Sequence, residues 1–323
     1  MTLRAEAHAK VNLHLGVGPL REDGFHELLT VFQSLSLRSV VELHSSPRED
    51  SPGPDTAVSS LEVTGLSARM VPTDSSNLAW RAVDAVARAV GVEPSDLPES
   101  ARLRIQKGIP VAGGMAGGSA DAAAALLLAR EWLSESCGAP RLDDHALEEL
   151  AAELGSDVPF TLRGGTMLGR GRGEKLTPVL SRGPWWWVLA LADGGLSTPV
   201  AFRKLDDLRA AGNLPEPALD SSAVVQALAS GDPRRLAEAI HNDLEPAALS
   251  VRPDLRRTLH CGAESGALAG IVSGSGPTCA FLCSDEAHAQ AVAADIADAG
   301  VARLTLVASA PSGGAALLPA DAD

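Results

Sequence analysis

Tyrosine is absent from this chain of 323 residues, and aromatics of any kind make up 3% of it. A phenylalanine in a polar turn is therefore informative wherever it occurs. Cysteine is scarce too. The four, at 137, 261, 279 and 283, form no CxxC pair and stand in no His/Cys cluster with zinc spacing. Reduced thiols and a cytoplasmic setting follow as expectations. Long apolar runs are missing: "MTLRAEAHAKVNLHLG" at the N-terminus has no unbroken apolar core of signal-peptide length. No stretch approaches the ~18 apolar residues that suggest a membrane span, and "WWWVLALA" (185–192) has only the length of a buried strand. Positive charge is outweighed, 27 Lys and Arg against 41 Asp and Glu, giving a net charge of −14 and a pI near 5.0. That balance argues against nucleic acid or an anionic membrane as the main partner. Any phosphate site must then be built from backbone amides and a few placed cations.

What is present is globular in kind, with 45% hydrophobic and 21% charged residues. The length suits one large domain or two medium ones. "AEAHAKVNLHLGV" alternates and predicts a strand, and "LLTVFQSLSLRSVVELHS" one or two more. The Pro/Ser/Asp-rich stretch 45–60 predicts a surface loop. "LEVTG" and "ARLRIQKG" predict strands around a helix in "NLAWRAVDAVARAVG", and further helices are expected from about Ser119 to Glu135 and from Asp143 to Leu154. "GGTMLGRGRGEKLTPV" predicts a hairpin and "WWWVLALAD" a strand, with helices following near 198–210, 221–229, 233–241 and 253–262. The rest predicts strand, glycine turn and strand in "GALAGIVSGSGPTCAFLC", a helix in "DEAHAQAVAADIADAG", a last strand in "ARLTLVA", and a tail without order. A composition change near 160–180 divides a strand-rich half from a mixed one, with both ends able to contribute to one sheet.

The most unusual segment is "PVAGGMAGGSADAAAALLLA", Pro110 to Ala129, which sets four glycines in six positions against a run of helix formers. A helix N-terminus carries unpaired N–H groups and the positive end of the macrodipole. Glycines just before it let an anion reach the backbone, so Gly113, Gly114, Gly117 and Gly118 with Ser119 form a phosphate cradle on one reading. Ser119 could cap the helix or give its hydroxyl to a phosphate or metal. Asp121 suits the first turn, and Lys107 could supply a cation. The alternative is a turn that lets a strand pack close to a helix. Neither GxxxxGK[ST] nor GxGxxG is present, and protein-kinase marks are absent.

The segment resembles motif 2 of the GHMP kinases. "AHAKVNLHLGVGPLREDGFHEL" (7–28) resembles motif 1 of the branch acting on 4-diphosphocytidyl-2-C-methyl-D-erythritol, and "GIVSGSGPTCAFL" (270–282) resembles motif 3. "LGSDVPF" (154–160) and "STPVAF" (197–202) are similar to its catalytic-aspartate and substrate-loop segments. "REDGFHEL" separates this branch from homoserine, mevalonate and galactose kinases. An alanine stands where the family often has a glycine in the array. The resemblance implies an α+β two-lobe fold, with an N-terminal lobe like ribosomal protein S5 and a C-terminal ferredoxin-like α/β sandwich. The corresponding boundaries are 1–170 for the lobe bearing the glycine loop, 171–312 for the second, and a disordered tail at 313–323.

It also implies roles. Asp157 takes the hydroxyl proton, and Lys10 lies near it and the transferred phosphoryl, although on periodicity alone that lysine could face water. ATP, with Mg²⁺, is held by Pro110, Val111, Ala112, Gly113, Gly114, Met115, Ala116, Gly117, Gly118, Ser119 and Ala120, with Lys107 and Asn77. A helix N-cap accounts for Asn77 equally well. Asn12, Phe25, His26, Thr198 and Phe202 hold the substrate, the two phenylalanines sandwiching a cytosine and the histidine reading its edge. Both phenylalanines as core is the alternative. "SGSGPT" (273–278) supplies an amide-rich turn beside the phosphates. The metal's protein ligands are not assigned. The implied activity is ATP-dependent phosphorylation of the substrate's 2-hydroxyl in non-mevalonate isoprenoid synthesis, by a monomer or homodimer with no nucleic-acid or membrane partner. Diphosphomevalonate decarboxylase or another small-alcohol kinase on the same fold is disfavoured by "DGFHEL", and a non-catalytic binding member by Lys10, Asp157 and Ser119 together.

Overall fold

A computed structural model describes residues 1–48, 55–111 and 113–319. The chain opens with two long strands, β1 (Thr2–Leu20) and β2 (His26–Pro47), joined by a short turn. β3 (Val58–Gly65), α1 (Leu78–Ala89) and β4 (Glu99–Lys107) follow, then α2 (Gly117–Cys137), α3 (Asp144–Leu154), α4 (Val158–Arg163) and the hairpin β5 (Thr166–Gly171) and β6 (Lys175–Pro178). The second half contains β7 (Trp185–Leu191), α5 (Thr198–Ala210), α6 (Ser222–Ser230), α7 (Pro233–Ala239), β8 (His241–Asn242), α8 (Glu245–Val251) and α9 (Leu255–Glu264). It ends with β9 (Ala269–Val272), β10 (Cys279–Cys283), α10 (Glu286–Asp298), β11 (Leu304–Ala310) and β12 (Ala316–Leu318).

Two sheets form. The first runs β12-β1-β2-β4-β3, with β5 and β6 continuing from β2, and β8 beside β1. β2 is one strand because its halves serve different partners: Leu28–Gln33 pair with β5, and Val40–Pro47 with β4. The second sheet is antiparallel, β11-β7-β10-β9, and Trp185 and Trp187 of β7 are core. α2 has no polar face to offer water: from Ala120 to Arg130 every side chain is buried. A helix apolar all round must be enclosed, and it lies against β1, β2 and α1.

Three boundaries depart from the sequence reading. The expected loop 45–60 is shorter, since β2 runs to Pro47 and β3 starts at Val58; residues 49–54 lie outside the described residues. The first sheet continues past 170, because β6 pairs with β5. The tail is not without order: Arg4 to Glu6 of β1 pair with Leu318 to Ala316 of β12. The physical reason is that β1 has a free edge there, and an unpaired edge recruits whatever backbone is tethered nearby. Residues 320–323 lie outside the described residues.

Candidate active site

Lys10 and Asn12 lie on one face of β1, between two irregularities in its pairing with β2, at His8/Lys10 and at Asn12/His14. Bulges re-aim side chains, and here every residue from Ala9 to Val17 is buried. Lys10 is 5% exposed, so it does not face water. Its Nζ donates to Asn12 Oδ1 at 2.6 Å and stands 3.6 Å from Asp157 Oδ2 and 5.5 Å from the centre of the Phe32 ring. Asn12 Nδ2 donates to Thr30 Oγ1 at 2.8 Å, and that hydroxyl donates to His14 O at 2.7 Å. The hydrogen-bonded chain fixes the asparagine amide and so the ammonium beside it. Asp157 immediately precedes α4, with its side chain 31% exposed. It can therefore be reached from the cleft while Lys10 is held beneath it.

The glycine loop leads into α2 through Ala116, which holds the left-handed conformation (φ +57) and gives the helix no side-chain cap. Ser119, expected as a possible cap, is the third residue of the helix, and its carbonyl accepts from Thr161 Oγ1. The leading amides of α2 are thus left without a capping side chain. Gly114 has φ +73, and a Cβ there would lie 2.1 Å from Ser273 O. Only glycine lets the loop sit against the turn 273–278. A Cβ on Gly274 would come within 3.3 Å of Lys10 Nζ, Asn12 Oδ1 and Gly114 O. Two glycine segments distant in sequence therefore close around one ammonium. Asn242 supports this closure, its Nδ2 donating to Val272 O at 2.8 Å and Gly274 O at 2.7 Å. Beside it, Glu245 accepts from Val272 N at 2.8 Å; burial raises its pKa and that hydrogen bond opposes the rise. Pro110 and Ala120 are buried behind the loop, and Met115 O accepts from Lys10 N. Ala112 lies outside the described residues.

Two candidate nucleotide contacts, Lys107 and Asn77, bond within the chain. Lys107 is buried, with Nζ 2.6 Å from Asp121 Oδ2 and 2.9 Å from Gly117 O. Asp121 is buried in the first turns of α2, and desolvation raises its pKa while Lys107 pulls it down. The lysine is committed to that carboxylate because a charge buried without a partner is prohibitive. It braces the loop from behind and does not line the cleft. Asn77 is the N-cap of α1, accepting from Ala79 N at 2.8 Å and donating to Pro72 O at 2.8 Å. One N–H and one oxygen lone pair of its amide bond to backbone.

A cleft of about 690 Å³ joins these parts. Lys10, Asn12 and Asp157 line it beside Gly113 to Gly117 and Gly274 to Gly276. Its far wall is aromatic. Phe25, in the β1–β2 turn, is 50% exposed, and the Arg172 guanidinium lies 5.1 Å from its ring centre. The Phe202 ring on α5 packs against His26, centroids 5.1 Å apart. His26 Nε2 meets Asp206 Oδ1 at 2.9 Å. Thr198, the first residue of α5, shares a hydrogen bond of 2.9 Å with Ser275. At this wall His26 pairs with Phe202, and Phe25 stands apart under Arg172. A smaller hollow of about 230 Å³ shares Gly113 with the cleft and includes Val111, Thr278 and Arg303. Arg172, Asp206 and Asn242 were not singled out from sequence. Asp206 sits in the charged run "RKLDDLRAA" and Arg172 in the predicted hairpin, and nothing in their spacing tells which side the fold presents to the cleft.

The chain matches the family models for the GHMP kinases N terminal domain at residues 77–165 and for GHMP kinases C terminal at residues 224–302. It is 54% identical to the 4-diphosphocytidyl-2-C-methyl-D-erythritol kinase of Nocardia farcinica, over 97% of this chain and 95% of that protein. It is 50% identical to the enzyme of the same name from Corynebacterium diphtheriae, over 97% of each chain. The solved structure of a 4-(cytidine 5'-diphospho)-2C-methyl-D-erythritol kinase superposes with a TM-score of 0.70 at 30% identity, over 96% of this chain and 100% of that one. The L. major mevalonate kinase, at 16% identity and a TM-score of 0.70 over 96% of each chain, shares the fold.

Proposed function

The chain belongs to the GHMP kinase family, and from that premise we propose that it transfers the γ-phosphoryl of ATP to the 2-hydroxyl of 4-diphosphocytidyl-2-C-methyl-D-erythritol. The observation that carries this reading is the meeting, in one cleft, of the Lys10–Asp157 pair, the glycine loop and the aromatic wall of Phe25, His26 and Phe202. Phosphoryl transfer asks for positioning, charge neutralisation and a proton acceptor. In this reading Asp157 accepts the hydroxyl proton as the oxygen attacks phosphorus. Lys10, held by Asn12, places its charge between that carboxylate and the transferred group. The amides leading into α2 receive phosphate oxygens, and the rest of the nucleotide extends past Gly113 into the smaller hollow.

Mg²⁺ supplies charge neutralisation on the phosphates. Among the described residues no cluster of three or more His, Cys, Asp and Glu could hold a metal by itself, which fits an ion carried in with the nucleotide. The cytidyl end lies at the aromatic wall, where Phe25 has a ring face open to stack. No helix among the described residues is long and apolar enough to cross a membrane, and the reading is of a cytoplasmic enzyme acting as part of non-mevalonate isoprenoid synthesis. The direct test is to incubate the protein with ATP, Mg²⁺ and the cytidyl substrate and follow phosphorus NMR. A new phosphomonoester on the methylerythritol, formed with ADP, is the expected product. ATP left intact in the presence of substrate would refute the assignment.

A further inference from the structure

Resting on the reading just given, we propose that Asp206 is a positioning residue that sets base selectivity by fixing the tautomer of His26. His26 lines the cleft and its side chain is only 7% exposed, so its ring has little freedom to reorient. One ring nitrogen, Nε2, lies 2.9 Å from Asp206 Oδ1. A carboxylate oxygen offers only lone pairs, so in the neutral ring Nε2 carries the hydrogen and Nδ1 the lone pair. No other side chain or backbone group among the described residues bonds the ring. The Nδ1 acceptor is left for a ligand.

The sequence spacing makes the arrangement self-consistent. Phe202 and Asp206 stand one turn apart on α5, on the same face. Phe202 packs against the imidazole with planes tilted by 30°, while Asp206 holds its edge. The helix therefore fixes both the plane and the proton of His26. Cytosine carries an amine at its 4-position, a donor that a lone pair on Nδ1 accepts. Uracil carries a carbonyl there, and lone pair would face lone pair. A site built to pair with a substrate N–H rejects an analogue that lacks it. Asp206 never needs to touch the base. It acts through His26.

The test uses the full-length protein and two substrates, the cytidyl compound and its uridyl analogue. Asp206→Leu removes the acceptor at similar size, and Asp206→Asn keeps an oxygen that can still accept from Nε2. The ratio of kcat/KM for cytidyl over uridyl substrate is expected to fall about tenfold in the leucine variant, the value of one hydrogen bond. The asparagine variant should retain most of it, and the KM for ATP should stay within about twofold in both. Long-range proton–nitrogen correlations on the ligand-free protein give a readout that does not depend on turnover: His26 should be the Nε2–H tautomer in the wild type and mixed in Asp206→Leu. Asp206 is 43% exposed, so a purely structural role would lower Tm and leave the selectivity ratio alone. The inference is overturned by an Nδ1–H tautomer in the wild type, or by wild-type selectivity in a folded leucine variant. If the wild type phosphorylates neither compound, the reading of the reaction falls and the selectivity claim falls with it, while the nitrogen spectrum still decides whether Asp206 sets the tautomer.

Discussion

Lys10 Nζ stands 3.6 Å from Asp157 Oδ2, a residue 147 positions further along the chain, and the lysine is buried while the carboxylate reaches the cleft. An ammonium so placed can neutralise charge without being the group that moves the proton. Asp157→Asn should lower kcat by about 10²–10⁴-fold, the usual cost of losing a general base. The asparagine keeps an oxygen beside the buried Lys10 ammonium but removes its counter-charge, so Tm should fall by a few degrees, while calorimetry should find ATP and substrate bound within a few-fold of wild type. Retention of half the wild-type turnover would remove Asp157 from the mechanism.

The two phenylalanines of the aromatic wall should part company. Phe25 is half exposed, with the Arg172 guanidinium over its ring. Phe25→Ala should raise the KM for the cytidyl substrate about tenfold, equivalent to roughly 1–3 kcal/mol of stacking, with Tm unchanged. Phe202 packs against the small apolar cluster of Leu15, Val17, Leu205 and Leu244. Phe202→Ala should raise the same KM and also lower Tm by several degrees. Paired thermal melts and steady-state kinetics check both, and normal substrate KM in both folded variants would dismantle the cytosine pocket.

Lys107 should behave as a structural residue. Lys107→Met strands the buried carboxyl of Asp121 and should destabilise the fold by about 3–5 kcal/mol in denaturant titrations. Adding Asp121→Leu should recover most of that loss, since a well-packed apolar pair can replace a buried ion pair. A single variant of normal stability with weakened ATP binding would instead restore the lysine to the nucleotide site.

Ala116 is a non-glycine residue at φ +57, which costs an L-amino acid on the order of 1–2 kcal/mol. Ala116→Gly relieves that strain at the expense of about 0.5–1 kcal/mol of backbone entropy. Chemical denaturation should show stability unchanged or raised by up to about 1 kcal/mol. A clear loss would mean that the alanine methyl packs usefully where it stands.

His14 gives the fold an acid-side weakness. Burial lowers its pKa below the ordinary 6.5, outweighing the hydrogen bond from Nε2 to Ala218 O, 2.8 Å long. The unfolded chain accepts a proton that the folded chain resists. Stability is therefore full above the unfolded value and is lost as pH falls through about 6.5 toward the lower folded value. Neighbouring His241 acts oppositely: its hydrogen bond to Asp243 raises its pKa, so its contribution is present at low pH and fades as pH rises. His14→Gln should flatten the fall of Tm between neutral and mildly acidic pH. A slope identical to wild type would show that other groups govern it.

The order of nearly all elements, the glycine loop before α2, and Lys10, Asn12 and Asp157 as residues to watch are legible without coordinates. Apolar periodicity, glycine placement and a motif order are local properties, and they survive without coordinates. Contacts between distant segments do not. The same chemistry that made Lys107 a candidate phosphate cation lets it pair with Asp121, and only the fold shows that carboxylate buried against its ammonium. Asn77 had two possible uses, and the fold shows the capping one at the start of α1. Alternation could not say whether Lys10 faced water, because two bulges in β1 break the period that such an inference needs. The C-terminal residues 316–318 read as tail because their order comes from the free edge of β1, more than 300 positions away. Asp206 carried no signal in a run of charges; only the docking of α5 against the β1–β2 turn brings its carboxylate to His26.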